Sequence, residues 1–316
     1  MKRIGVLTSG GDTPGMNAAI RAVFKTGVDI DLQVMGIYHG YKGLIEGRVG
    51  YLAHADVESK MHKGGTILRT ARSEEFKTEG GIEKAISVLR AYEIEGLIVI
   101  GGDGSFKGAD ALSKRGIPVI GIPGTIDNDM GYTDFTIGFD TAVNNVMNEI
   151  YKIRDTMRAH DRVGVIEVMG RRCGDIALWA GVAGAADIIL VPERPLSWAD
   201  AANRLAANKL RGQLTSIVMI AEGAGKAEDF CEYVRKYTDV EIKATVLGYI
   251  QRGGNPSAFD RVLAAKMGQR AVELLADEAN MRGTDRAESR AAENNDLREN
   301  FGYAVGIREN LSLIHI

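Results

Sequence analysis

One unit recurs along this chain: a short apolar run, a glycine-rich turn, then a helical pattern. RIGVLTS leads into GGDTPG and MNAAIRAVFKTGVD, and GLIVI leads into GGDGS and FKGADALSKRG. PVIGI leads into PGTIDND, GVIEVMG into RRCGDIALWAGVAG, and SIVMIAEG and TVLGYIQRGG follow the same grammar. Apolar runs of this length without alternation read as strands buried on both faces. Their alternation with helices demands parallel pairing through right-handed crossovers. The expected class is therefore α/β, with two open, mostly parallel-sheet domains. The 39 glycines exceed the average share of about 7%, while low-complexity runs are lacking. That excess belongs to tight turns and to backbone that must approach something closely.

The other bulk properties exclude more than they assign. A net charge of −3, from 39 basic and 42 acidic residues, lacks the basic excess of a nucleic-acid binder. No run nears the roughly 18 apolar residues of a membrane span, and the apolar part of MKRIGVLTSGGD is too short for a signal peptide. Two cysteines, Cys173 and Cys231, make no disulfide framework and fit a reducing, cytoplasmic setting. The amphipathic stretch TAVNNVMNEIYKIRDTMRAH is the best candidate for a helix bridging the two domains.

In open parallel sheets, ligands lie outside the carboxyl ends of the strands. Here those ends carry SGGD, GGDGS and PGTIDND. A glycine-rich loop opening a helix offers backbone N–H groups and a positive dipole end to an anion. Gly10, Gly11, Gly102, Gly104 and Gly108 would let a phosphate chain lie against the backbone; tight turning alone is the plainer use of any one of them. Neither GxxxxGK[ST] nor GxGxxG follows a strand. An acid beside a phosphate cradle makes sense through a divalent cation, and Mg²⁺ binds through one or two carboxylates plus phosphate oxygens. Asp103 fits that role, and equally that of a helix cap.

Asp127, with Asp129 close by, suits a different role, that of a carboxylate beside an attacking hydroxyl in phosphoryl transfer. Arg72 in RTARSEEF and Arg171 in VMGRRCG could supply cations, though either alone reads as a surface ion pair. Arg162, Arg252 and Lys243 stand at strand edges or turns and suggest a phosphorylated acceptor, or merely a solvated rim.

LTSGGDTPGMNA, GGTIL, GGDGS, PGTIDND, TIGFDTA, VMGRRCGD, AEG and QRGGNPSAFDR are together very specific. On them the chain resembles the bacterial 6-phosphofructokinases from Met1 to about Leu275. GGDGS alone is not specific, because lipid kinases and NAD kinases carry a similar stretch. The resemblance implies two α/β domains, a homotetramer, and transfer of the γ-phosphate of ATP to the 1-hydroxyl of fructose 6-phosphate with Mg²⁺. It implies that Asp127 is the general base, helped by Thr125 and Asp129, that Asp103 holds Mg²⁺, and that Gly11, Arg72 and Arg171 stabilise the transferring group. Arg72, Ser73, Lys77, Gly102, Gly104, Ser105 and Gly108 would line the nucleotide site. Met169, Gly170, Arg171, Glu222 and Arg252 would hold the sugar phosphate, with Arg162 and position 243 reaching over from a neighbouring subunit.

Pyrophosphate-using relatives tend to carry an acid in place of Gly104 and a lysine in place of Gly124; glycine at both predicts ATP as the donor. A pyrophosphate-dependent enzyme and a non-catalytic sugar-phosphate sensor are the competing readings. Lys243 and Tyr249 stand where this family usually has arginine and histidine, which predicts a weaker grip on the sugar phosphate. In the effector pocket the family builds between subunits, Arg21, Arg154 and Arg211 match or stay close. Lys25, Asp187 and Gln213 depart from the pattern, as do His54, Ser59 and Thr215, so the response to phosphoenolpyruvate should be weak or altered.

Two domains are expected at 1–138 plus about 251–300 for the nucleotide and at 139–250 plus about 301–316 for the sugar phosphate. Residues 277–302 read as an exposed helix or mobile loop, and YAVGIREN as one more strand. The final LSLIHI matches the translation of a common sequencing-adapter end. The native frame is therefore expected to run on, with residues 311–316 non-native.

Overall fold

A computed structural model describes residues 1–283, 302–308 and 311–315. They form two compact units: Met1–Thr125 with Met130–Gly138 and Gly254–Ile316, and Ile126–Asp129 with Phe139–Gly253.

The first unit opens with β1 (Arg3–Thr8), α1 (Met16–Asp29), β2 (Gln33–Ile37), α2 (Gly40–Ile45), β3 (Val49–Tyr51) and α3 (His54–Val57). It continues with α4 (Glu79–Ala91), β4 (Gly96–Gly101), α5 (Asp103–Ser113) and β5 (Val119–Pro123). The second unit holds α6 (Phe139–Ala159), β6 (Val163–Val168), α7 (Asp175–Ala183), β7 (Ile188–Leu190), α8 (Trp198–Leu210), β8 (Ser216–Ala221), α9 (Ala227–Tyr237) and β9 (Ile242–Val246). The chain then returns to the first unit with α10 (Ala258–Gly283), β10 (Gly302–Arg308) and β11 (Leu311–His315).

The first sheet runs β11-β10-β5-β4-β1-β2-β3, parallel except at its two edges, where β3 and β11 pair antiparallel. The unalternating apolar runs are explained by burial on both faces. Along β4, Ile98 and Ile100 face the cluster built with α1 and α10, while Leu97 and Val99 face the one built with α4 and α5. Strand order reverses between β1 and β4, which places the loops after these two strands at the switch point of the sheet. The second sheet, β7-β8-β6-β9, is parallel throughout. Val163, Val165, Val218 and Ile220 pack there against Leu205 of α8 and Phe230 and Val234 of α9.

Two expectations need correcting. Residues 302–308 belong to the first unit and not the second: Gly302, Tyr303 and Ala304 pair with Val119, Ile120 and Gly121 of β5. The apolar face of β10 closes over the core through Val305 and Ile307. The long amphipathic helix α6 lies wholly within the second unit. Of the charged stretch, residues 284–301 lie outside the described residues. No helix among the described residues is long and apolar enough to cross a membrane. Cys173 and Cys231 are both free, and burial pushes each thiol up to about 11.

Candidate active site

The first unit gathers three loops around the carboxyl ends of β1 and β4. Gly10 turns the chain after β1 with φ 86°, and its carbonyl accepts a 2.7 Å bond from Thr70 Oγ1. Thr8 Oγ1 donates to the Arg69 carbonyl at 2.8 Å. These two threonine bonds lash the loop leading to Arg72 against the end of β1, beside Gly11. After β4, Gly102 stands in extended conformation and α5 begins at Asp103, so its first N–H groups point out of the helix end. Tyr41 is buried beneath this turn, stacked on Phe76 at 4.0 Å, and donates to the Ser105 carbonyl at 2.6 Å.

This geometry sorts the glycines. A Cβ on Gly108 would lie 2.6 Å from the Tyr41 ring, and one on Gly124 would lie 3.1 Å from Ile100 and 3.3 Å from Met16. Packing demands the first; at 124 the neighbours are side-chain ends that need give by only a few tenths of an ångström, so the contact does not by itself account for glycine there. Gly104 differs: a Cβ there meets no protein atom within 4 Å, and its φ is outside the left-handed region. The fold does not need glycine at 104; close approach by a ligand would.

The charged candidates in this unit are solvated. Lys77 Nζ sits 2.8 Å from both carboxylate oxygens of Glu74, and Asp103 Oδ2 lies 2.8 Å from Lys107 Nζ. Arg72 is exposed, and Ser73 Oγ accepts from the Phe76 N–H at 3.2 Å. Among the described residues no group of three or more His, Cys, Asp or Glu could hold a metal. One carboxylate at a helix N-terminus suits a cation whose other ligands are phosphate oxygens and water, and Asp103 fits Mg²⁺ on those terms.

The second unit is built differently. Asp127 is 4% exposed, and its Oδ2 lies 3.4 Å from Arg171 Nε. Burial pushes its carboxyl above the usual aspartate value, the nearby Asp129 adds to this, Arg171 and Arg252 pull it back, and Glu222 raises it again. Four sequence candidates spread from 129 to 252 therefore act on the Asp127 carboxylate. Gly170 has φ 134°, and a Cβ there would strike the Cys173 carbonyl at 2.3 Å. Arg171 itself is left-handed, φ 54°, with its N–H donating to Glu222 Oε1 at 2.7 Å. Met169 donates its N–H to Gln251 Oε1 at 3.1 Å, and Arg252 lies 5.9 Å over the exposed Tyr249 ring. The chain turns back through Thr125, whose carbonyl accepts from Thr136 Oγ1 at 2.6 Å in the first unit.

Arg162 and Lys243 do not join this cluster. Arg162 precedes β6 and pairs with Glu241 at 2.5 Å, while Met169 follows the same strand. The six residues of β6 separate them by roughly 20 Å. Lys243, near the start of β9, lies towards the same end as Arg162. The effector candidates are partly occupied: Arg154 Nη2 donates to the carbonyls of Gly184 and Ala185, and Asp187 accepts from Gln213 Nε2 and the Ile217 N–H, each at 2.7 Å. Arg21 and Lys25 lie on α1, Lys25 Nζ being 3.1 Å from His54 Nδ1, and Arg211 caps α8. The sequence reading missed Tyr41, Asn128, Asp175 and Gln251, each of which holds a candidate loop in place.

The phosphofructokinase family profile matches residues 3–275. The chain is 56% identical over 282 residues to the ATP-dependent 6-phosphofructokinase of Clostridium tetani, covering 89% of this chain and 88% of that one. It is 55% identical over 275 residues to the enzyme of the same name from Clostridium novyi, covering 87% and 86%. Phosphofructokinase from Saccharomyces cerevisiae superposes with a TM-score of 0.88 at 34% identity, over 99% of this chain and 44% of the yeast chain.

Proposed function

This chain belongs to the phosphofructokinase family, and from that premise we propose how its residues perform the ATP-dependent 6-phosphofructokinase reaction. It is a phosphotransferase that moves the γ-phosphoryl group of ATP to the 1-hydroxyl of fructose 6-phosphate. The observation that carries the proposal is Asp127, buried and held 3.4 Å from Arg171. A raised carboxyl is a stronger base than an ordinary aspartate, and it takes the proton from the attacking sugar hydroxyl. Arg171 then offers fixed positive charge to the oxygens of the group in flight. Arg252 and Glu222 hold the sugar phosphate beside it.

The backbone N–H groups of Gly11 and of the turn from Gly102 to Ser105 cradle the nucleotide phosphates. Arg72, Ser73 and Lys77 complete that grip, and bare backbone at Gly104 admits the α-phosphate. Asp103 holds Mg²⁺, which when bound neutralises charge on the phosphate chain. Arg162 and Lys243, at the opposite end of their strands from Met169, serve the site of a neighbouring subunit, in keeping with a homotetramer. With ATP and a hexose phosphate as substrates and two free thiols, the enzyme works in the cytoplasm.

The test supplies fructose 6-phosphate and Mg²⁺ with either ATP or pyrophosphate and measures fructose 1,6-bisphosphate. Product with ATP alone is expected. Product with pyrophosphate alone would overturn the donor assignment, and binding of the sugar phosphate without turnover would make the chain a sensor.

A further inference from the structure

Two non-glycine residues of the second unit's reactive loops stand in the left-handed region: Asn128 at φ 52° and Arg171 at φ 54°. Such conformations are strained for a residue with a side chain and persist where the surroundings over-determine them. The restraint on Arg171 is the Glu222 carboxylate at its N–H, together with Gly223, whose bareness leaves room for the Arg171 carbonyl. Asn128 is restrained by its own side chain. Its Nδ2 donates to Asp175 Oδ2 at 2.8 Å, and its carbonyl faces Cys173 Sγ at 4.0 Å. The acceptor is a carboxylate, so the bond is charge-assisted and stronger than one between neutral groups.

The position of this bond in the chain gives it a consequence. Asn128 sits between Asp127 and Asp129, and Asp175 opens α7 four residues after Arg171. One hydrogen bond therefore joins the turn that carries the carboxylate to the turn that carries its guanidinium. We propose that Asn128 and Asp175 form a positioning clamp that sets Asp127 against Arg171, contributing to the rate of phosphoryl transfer and little to substrate affinity. Neither residue touches a reacting atom; each acts through the loop it holds. The proposal rests on the reading of Asp127 as the base and deepens it.

Glycine at 128 keeps the left-handed backbone while deleting the bond, so Asn128→Gly separates the clamp from backbone strain. Steady-state kinetics of the full chain would compare Asn128→Gly, Asp175→Ala and the double variant, with melting temperatures measured alongside. Each single change should lower kcat between about ten- and a hundredfold, as a misplacement near 1 Å can. KM for ATP and for fructose 6-phosphate should stay within about threefold, because the binding contacts are untouched. The double variant should be no slower than the worse single one, because both delete the same bond. Asp175→Asn retains a neutral acceptor of the same shape and should recover most of the rate even where Asp175→Ala folds poorly. A kcat for Asn128→Gly within twofold of the parent, losses that multiply in the double variant, or a loss carried by KM would each overturn the clamp. Asp127→Asn, assayed in parallel, separates the two levels. If it keeps full kcat, the base assignment falls and takes the clamp with it. If it is inactive while Asn128→Gly is fast, the clamp alone falls.

Discussion

The candidate sites of the two units are built in opposite ways. In the first, the cradle is backbone: a left-handed Gly10, an extended Gly102 and the open end of α5, with Lys77 and Asp103 out in solvent on ion pairs of their own. In the second, the working groups are side chains already set: a buried Asp127 with Arg171, Arg252, Asp129 and Glu222 all bearing on its charge, and a strained backbone at Asn128 and Arg171. Backbone donors need no counter-charge and cost nothing to keep solvated. A buried carboxylate costs desolvation in the resting protein, and that cost is what raises its basicity.

The largest effect should come from the second unit. Asp127→Asn keeps the shape and removes the proposed base, so kcat should fall by roughly 10² to 10⁴-fold while KM for fructose 6-phosphate moves only a few fold. A proportionate rise in KM would mean that Asp127 holds the sugar and does not act on it. The same variant should also be more stable than the parent at neutral pH. The native carboxyl binds its proton more tightly than the unfolded one, so Asp127 costs stability once pH rises above its native value. That cost vanishes below the ordinary value of 3.8. The gain in urea midpoint for Asp127→Asn should therefore shrink as pH is lowered towards 4. A gain independent of pH would remove the contrast in how the two units treat charge.

Next comes Gly104→Asp in the first unit. A Cβ there meets no protein atom, so the melting temperature should hold. A carboxylate set against a phosphate chain should cut kcat/KM for ATP by roughly a hundredfold and leave KM for fructose 6-phosphate unchanged. Equal losses for both substrates would show that position 104 shapes the fold and not the nucleotide site.

This contrast also sets how much the sequence could reveal. Glycine-rich turns after apolar runs announce themselves locally, so the parallel sheets and the loops at 10–11 and 102–104 were readable from spacing alone. The opposition of Asp127 and Arg171 joins residues 44 positions apart through tertiary packing, and no periodicity encodes it; the family resemblance supplied it. The left-handed backbone at Asn128 had a local hint, since asparagine tolerates that region better than most residues, but its partner Asp175 had none. Position 108 carries a packing demand against Tyr41 that its spacing did not announce, because a packing glycine and a ligand glycine look identical in a sequence. The strand β10 was assigned to the wrong unit because it follows a long charged stretch, and which sheet receives a late strand depends on which core lacks a cover.

The smallest effect should fall on Lys77. Its ammonium pairs with Glu74 three residues away, and the side chain is 70% exposed. Exposed pairs of this kind contribute between nothing and about 1 kcal/mol, so Lys77→Met should barely move the unfolding free energy. If Lys77 reaches the nucleotide only as a mobile, solvated charge, KM for ATP should rise by no more than about threefold. That difference should fade as added salt shortens the screening length from about 10 Å to about 3 Å. A tenfold rise in KM that survives high salt would break the comparison at its root. Lys77 would then leave Glu74 to become a fixed member of the cradle, and the first unit, like the second, would recognise phosphate with charge held in place.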